Sequence, residues 1–359
     1  MPNNINLEDF FAKLGEDVFK NGSLVRNVFA PWNFIKFIVT YKKSMKALYQ
    51  ESFSDIKKAI DNYDEEKFRK AFEQIGLFEK YWMTKKDKNY FSKIQQKVGL
   101  LDNIKTAENC AFEPIQNRVC YCLNHSLPYR GDGYVTRSQH MAKALQEGGF
   151  DVIAITRPGF PFDSPKLTKK YKEIPYDEEI EGIKYRRQYA DKKTVKSPQF
   201  TKFAVEAWKK TFLELKPQYV IAASNNFHAL SVLLAAKELG IPFYYEVRGL
   251  WELTKVSRNP KYKDNISFYF EKYYEAKICN LSDGVFTLTT ALIDELERRG
   301  VDRSKVHLLP NCANVSMFNA QERDEELAKK LNIPKDVVTI GYLGTIQIWF
   351  LSYHPFAHP

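Results

Sequence analysis

The sequence predicts a doubly wound parallel α/β sheet preceded by an α-helical region. Two observations carry this reading. From Arg118 onward, short β-rich runs alternate strictly with helical patterns, and strict alternation implies parallel strands joined by right-handed helical crossovers. Before about residue 116, glycine is scarce and apolar residues recur at spacings of three and four, as in Phe68, Phe72, Ile75, Phe78 and Trp82. That spacing is the mark of amphipathic helices.

Taken in order, residues 55–97 suggest two or three such helices. Ahead of them, no acidic residue lies between Asp17 and Glu51, while Lys20, Arg26, Lys36, Lys42, Lys43 and Lys46 alternate with Phe29, Trp32, Phe34, Phe37 and Tyr41. Residues 20–50 therefore suit peripheral contact with an anionic membrane face, or a helix pair packing its aromatics on the neighbouring domain. Near Pro114 the texture changes. Strands are expected over 118–124, 151–156, 219–223, 242–247, 284–289 and 305–309, with short extended pieces around a Glu181-Gly182 turn. Helices are expected over 134–148, closed by Gly148-Gly149, over 197–215, stopped by Pro217, and over 227–239, 265–281 and 291–300. Pro310-Asn311 closes this run; a polar helix over 324–331 and a strand over 337–343 follow. Residues 347–359 carry no Lys, Arg, Asp or Glu. The expected division is a helical leader (1–116), an α/β domain (117–318) and a linker helix with one further strand (319–359).

Composition narrows the class. The chain has 359 residues, 44% hydrophobic and 27% charged, with a net charge of +10, ordinary for a folded domain and suited to a polyanionic or phosphorylated partner. Its five cysteines, Cys110, Cys120, Cys122, Cys279 and Cys312, form no C-x-x-C pair, which argues against a disulfide framework or a zinc site. The start is polar and acidic, unlike a signal peptide, and no apolar run approaches the roughly 18 residues that read as a bilayer span. A cytoplasmic location, peripheral at the inner membrane face if residues 20–50 bind lipid, is the expectation. There is no phosphate loop of the G-x-x-x-x-G-K-[ST] type, no H-E-x-x-H, no G-x-S-x-G and no nucleic-acid module, so no metal and no nucleic acid are expected.

In an open parallel sheet, ligands bind outside the carboxyl ends of the strands. The loop after the first strand carries Gly131 and Gly133 just before a helix, whose N-terminus offers N–H groups and a positive dipole end. Thr136 occupies the place of the third glycine of G-x-G-x-x-G, and the loop is too long for a dinucleotide fingerprint. After the 242–247 strand, Arg248 stands before Gly249, suited to an anionic group or to a structural ion pair. Glu246 would pair with it, or Glu252 would hold it. The same loop carries Trp251.

Three stretches resemble the family-4 glycosyltransferases of the GT-B fold: Leu127 to Leu145 with Asp151 to Pro161; Tyr245-Glu-Val-Arg-Gly-Leu-Trp-Glu; and Val306-His-Leu-Leu-Pro-Asn-Cys-Ala-Asn with Phe318, where Cys312 replaces the usual glycine. Ile340-Gly-Tyr-Leu-Gly-Thr is similar to the first strand of that family's second domain. The resemblance implies two facing Rossmann-like domains. The amino-terminal one binds the acceptor; the carboxyl-terminal one holds a nucleotide sugar through a basic pair and two glutamates spaced E-x7-E. It implies retaining transfer to a glycan or lipid-linked acceptor in surface polysaccharide biosynthesis, with the nucleotide sugar as co-substrate and no further cofactor. Gly131 and Gly133 would then line the cleft near the donor, Arg248 would meet the acceptor, and Arg137 would support the loop. No residue is assigned to catalysis. Little room follows Thr345 for the donor domain, and the E-x7-E spacings present (Glu65/Glu73, Glu206/Glu214, Glu238/Glu246) all precede it. A truncated second domain, inactive or completed by another chain, is expected. The alternatives are a non-catalytic subunit binding acceptor or partner, and a sugar-nucleotide epimerase-like enzyme.

Overall fold

The computed structural model describes residues 50–82, 85–313 and 322–340, with Ala47, Val315 and Asn319. The basic aromatic segment at 20–50 (apart from Ala47 and Gln50) and the uncharged tail lie outside the described residues, as do Phe78 and Trp82 as side chains. The chain divides into two units, Met1–Asn311 and Cys312–Pro359.

In the first unit, helix α1 covers residues 50–61, followed by α2 (Glu65–Trp82) and α3 (Lys85–Asp102). Then come β1 (Ile115–Leu123), α4 (Gly133–Glu147), β2 (Asp151–Thr156), α5 (Pro165–Lys170), β3 (Asp177–Ile180), β4 (Ile183–Arg186), α6 (Lys192–Lys196) and α7 (Phe200–Leu215). The second half runs β5 (Pro217–Ala223), α8 (Asn226–Glu238), β6 (Phe243–Val247), α9 (Trp251–Arg258), α10 (Ile266–Leu281), β7 (Gly284–Thr287), α11 (Thr290–Arg298) and β8 (Val306–Leu308). The described strands form one sheet in the order β3-β4-β2-β1-β5-β6-β7-β8. Every pairing is parallel except the edge pair β3–β4. Glu181 (φ 49°) and Gly182 (φ 80°) close that hairpin, as a two-residue turn with positive φ at both positions requires.

Strand order reverses between β1 and β5, which makes their carboxyl ends the topological switch point. Alternation along the strands sends residues to two cores. Cys120, Cys122, Ile155, Val220, Ala222, Phe243 and Tyr245 face the larger core, with Trp208 and Phe212 of α7 and the apolar run of α8. Tyr121, Leu123, Val152, Ala154 and Ala223 face the other, against Ala142 of α4. Among the described residues all five cysteines are free thiols.

The leader helices pack on the sheet domain. Those described belong to the larger core rather than to a body of their own. Ile56, Phe68, Ile75, Phe91, Ile94 and Val98 are buried in the same cluster as Phe270, Tyr273 and Tyr274 of α10. The Phe68 ring stacks 4.5 Å from Tyr273, and Lys272 of α10 donates to Asp61 at 2.8 Å. The physical reason lies in the apolar side of α10: a helix bearing Phe270, Tyr273 and Tyr274 together needs a cover, and α2 and α3 supply it. The segment before β1 is also tied down. Ala107 N and Ala111 N donate to Lys237 O and Leu239 O at the end of α8. A Cβ on Gly240 (φ 68°) would lie 2.3 Å from Asn109 O, so only glycine fits there.

The unit from Cys312 holds α12 (Glu325–Lys330), capped by Asp324. Arg323 donates to Ile333 O and Pro334 O beyond it. Residues 337–340 carry no strand; the rest of that expected strand lies outside the described residues.

Phe68→Ala is expected to cost about 3–5 kcal/mol, the usual range for removing a buried aromatic ring. Urea denaturation followed by far-UV circular dichroism should show one shifted transition for leader and sheet together. An unshifted main transition preceded by a small early one would mean that the leader folds apart.

Candidate functional site

The switch-point crevice is built from the ends of β1, β5 and β6 and the first turn of α4. Asp132 caps α4, its side chain accepting from Val135 N at 3.1 Å, and its carboxylate also meets His125 Nε2 at 3.0 Å. The helix start thus carries its own negative cap, which opposes the anion binding expected of a bare N-terminus. Tyr134 spans the crevice floor. Asn124 N donates to its hydroxyl at 2.8 Å and the hydroxyl donates to Ala223 O at 3.4 Å, joining the ends of β1 and β5.

Beneath lies a buried charge cluster. The Glu246 carboxylate, whose side chain is 2% exposed, accepts from Tyr121 Oη at 2.6 Å, Arg137 Nε at 2.8 Å and Arg248 Nη2 at 2.9 Å. Burial pushes this carboxyl up, but Arg248, Tyr121 and Arg137 outweigh it and hold the group below its ordinary range. Arg248 further donates to Tyr134 O at 2.9 Å and Ser138 Oγ at 2.8 Å, to the Tyr121 hydroxyl, and lies 4.6 Å from the Tyr134 ring centre. Arg137 reaches the other way, to Leu309 O, Pro310 O and Asn311 Oδ1 at 2.8–3.0 Å.

The expected site residues therefore take different places. Gly131 and Gly133 are exposed at the mouth of the crevice. A Cβ added to either meets nothing within 4 Å, so packing does not demand glycine at these positions. Arg248 is engaged on nearly all sides and forms the floor under α4, the structural-pair alternative. Arg137 does not brace the loop before α4; it ties the Leu309-Pro310-Asn311 crossover to the sheet. Glu252 does not touch Arg248. It is buried and pairs with Arg299 at 2.7 Å in a second network, where Tyr245 Oη and Asn226 Nδ2 donate to Glu275 at 2.8 and 3.1 Å. The turn from β6 into α9 carries Glu252 away from Arg248 to the α10 side of the sheet. Burial, with Glu252 beside it, pushes the Glu275 carboxyl up to about 7. His228 Nε2 donates to Ala223 O at 2.6 Å, and burial pushes the imidazole down to about 3, so it stays neutral.

Sequence reasoning missed the part of the site that the leader supplies. A cleft of about 430 Å³ opens beside the β5 and β6 carboxyl ends, lined by Lys93 and Lys97 of α3 together with Asn225, Phe227, Trp251 and Lys255. A basic pair at i and i+4 on α3 was the available signal; nothing in the helical spacing says which element that face meets. Among the described residues no group of His, Cys, Asp and Glu could hold a metal, and no helix is long and apolar enough to cross a membrane.

Comparison with known proteins bears on this arrangement. A family model described as the glycosyl transferase 4-like domain matches residues 132–312, from the cap of α4 to the end of the crossover. No curated protein matches the sequence. Solved structures that match include sucrose-phosphate synthase from Thermosynechococcus elongatus (16% identity, TM-score 0.43, 62% of this chain and 54% of that one). Others are UDP-GlcNAc 2-epimerase from Methanocaldococcus jannaschii (15%, 0.34, 54% and 45%) and HepE from Anabaena in complex with UDP-glucose (10%, 0.41, 60% and 50%). The matched part spans about half the length of each of these three.

The two buried carboxylates give opposite expectations for the same change. Glu246 has a depressed pKa in the fold, so its contribution is present above its unfolded value near 4.5 and lost as pH falls through the folded one. Glu246→Gln, which leaves two arginines facing a neutral amide, should cost about 3–5 kcal/mol at pH 7 and progressively less in acid. Glu275 keeps its proton up to about pH 7 when folded but loses it near 4.5 when unfolded, so stability drains as pH rises between those values. Glu275→Gln should be more stable than wild type at pH 8 by on the order of 2 kcal/mol and indistinguishable at pH 4. Thermal melts of both variants from pH 4 to 8 check this; parallel profiles would contradict it.

Proposed function

The chain belongs to the glycosyl transferase 4-like domain family, and on that premise we propose that it serves in retaining sugar transfer from a nucleotide sugar to a glycan or lipid-linked acceptor of surface polysaccharide. The sheet described here is the acceptor-side wall of the reaction crevice. The observation that carries this reading is the family match over 132–312, which covers Gly133 of the rim, the floor residues Arg137, Glu246 and Arg248, and the Leu309-Pro310-Asn311 crossover.

The chemistry sets clear demands. Transfer passes through an oxocarbenium-like sugar as a diphosphate departs, so the wall facing the donor must fix positions and exclude water while fixed positive charge meets the phosphates. On this side, Gly131 and Gly133 leave room at the α4 rim for the donor sugar. The Glu246 cluster supplies rigidity: each arginine there is committed to several oxygens, so the floor holds its shape when ligands enter. Arg137 sets the Leu309-Pro310-Asn311 crossover against that floor, fixing where the chain leaves the sheet. Arg248 acts on the acceptor through the position of Tyr134 rather than by contact.

A second reading, acceptor binding without turnover, is favoured by one observation. The Asp132 carboxylate caps the start of α4, so negative charge already occupies the helix end where a donor phosphate would otherwise be met.

Purified chain incubated with a panel of radiolabelled UDP- and GDP-sugars and extracted lipid-linked acceptors separates these readings. Transfer with retained anomeric configuration supports the first, acceptor binding without transfer supports the second, and neither would overturn both. Gly131→Val and Gly133→Leu should melt within about 0.5 kcal/mol of wild type, as open-surface changes do, yet lower transfer or acceptor binding by about tenfold or more through obstruction of the rim. Unchanged function in both variants would remove the glycines from the site.

A further inference from the structure

Helix α3 lies ahead of the family-matched segment, yet it forms one side of the cleft beside the β5 and β6 carboxyl ends. Its Lys97 has an unusual setting. The ammonium group sits 5.7 Å from the Phe227 ring centre and 5.0 Å from that of Tyr274, and no ion pair of Lys97 occurs among the described residues. Lys255, across the cleft on α9, differs: it is paired with Glu271 of α10, which also accepts from Tyr262 Oη at 3.1 Å. Ring faces attract a cation without neutralising it. Three ammonium groups, those of Lys93, Lys97 and Lys255, thus line the cleft against the single carboxylate of Glu271, while Phe227 and Trp251 supply apolar surface. The volume is in the range of small-ligand sites.

Resting on the glycosyl-transfer reading, we propose that α3 completes the acceptor pocket and that Lys97 selects an acceptor carrying an anionic group beside an apolar or ring-shaped face. The anion is a phosphate, as in a lipid-linked acceptor, or a carboxylate, as in an acidic sugar. The leader thereby sets acceptor specificity, and the matched domain supplies the scaffold.

Geometry explains why Lys97 and not its neighbours does this. Lys255 would have to give up Glu271 to bind an anion, and Lys93 lies one turn before Lys97 on the same helix. Burial also pushes the Lys97 ammonium down to about 8. The charged groups facing it are Lys93 on its own helix, Lys255 on α9 and Glu271 on α10. Arg157, between β2 and α5, approaches the same Phe227 ring at 6.0 Å while paired with Asp163 at 2.9 Å. Lys97 is protonated below pH 8 and loses its charge above it, so anion affinity should fall as pH rises from 7 to 9.

The test uses the full chain labelled with 5-fluorotryptophan, with the Trp251 fluorine resonance assigned through Trp251→Phe. Phenyl phosphate, phenylacetate and uncharged benzyl alcohol are the probes. A saturable shift of the Trp251 resonance with an anionic probe is expected; whichever anion binds tighter identifies the group. In Lys97→Met the affinity should drop about tenfold or more, the loss typical of a hydrogen bond to a charged group, and the dependence on pH between 7 and 9 should flatten. Lys97→Arg should stay within a few-fold of wild type, and benzyl alcohol should bind all three forms equally weakly. Equal affinity in wild type and Lys97→Met, or no shift with either anion up to about 10 mM, would overturn the proposal. The binding test contains no donor and is set beside the separate transfer assay: anion binding with no transfer in that assay would count against the catalytic reading alone, and transfer without Lys97-dependent binding against this inference alone.

Discussion

A single buried carboxylate holds the crevice together. Glu246 sits at the end of β6 and receives hydrogen bonds from β1 through Tyr121, from α4 through Arg137, and from its own strand end through Arg248. Two guanidinium groups and one carboxylate in a low-dielectric setting attract strongly, but each also loses its hydration, so the cluster persists only because nearly every lone pair and proton finds a partner. Its value is positional. Through Arg137 the end of the sheet is joined to the 309–311 crossover, and through Arg248 it is joined to the first turn of α4. The rim glycines, the Tyr134 bridge and the exit of the chain from the domain take their places from that one charge.

A second polar network performs the same service on the opposite face. Glu275 of α10 is bonded by Tyr245 and Asn226, and Glu252 pairs with Arg299 beside it. The two networks flank β6, one for each direction in which successive side chains point. The strand end that shapes the crevice is thus pinned on both faces. The leader helices reinforce the second side by covering the aromatic residues of α10, and in doing so they bring α3 to the cleft.

Much of the architecture was legible in the sequence because strand and helix patterns alternate over short distances. The second strand, Asp151–Thr156, stands as read, and most helix ends fall within a few residues of those expected from Gly148, Pro217 and the caps. The place to look for a site was set by the same alternation, because open parallel sheets bind ligands outside the carboxyl ends of their strands. Partners were harder. The Glu246–Arg248 pair is two residues apart and was among the alternatives, whereas Glu252 meets Arg299, a partner 47 positions on that no spacing rule would select. Where the leader packs was not legible, because amphipathic spacing shows that a face will be buried but not against what. Lys97 escaped notice for that reason, since its role arises only when Phe227 and Tyr274, distant in sequence, come to meet it.

If the Glu246 cluster joins the crossover to the sheet end, its members must be energetically coupled. The most direct measurement is the coupling free energy between Arg137 and Glu246, from urea denaturation of wild type, Arg137→Met, Glu246→Gln and the double variant. A coupling of about 2 kcal/mol or more, as contacting buried charges show, is the expected result. Additive losses, with coupling near zero, would mean that the crossover and the sheet end are held independently and that the crevice is not organised around this carboxylate.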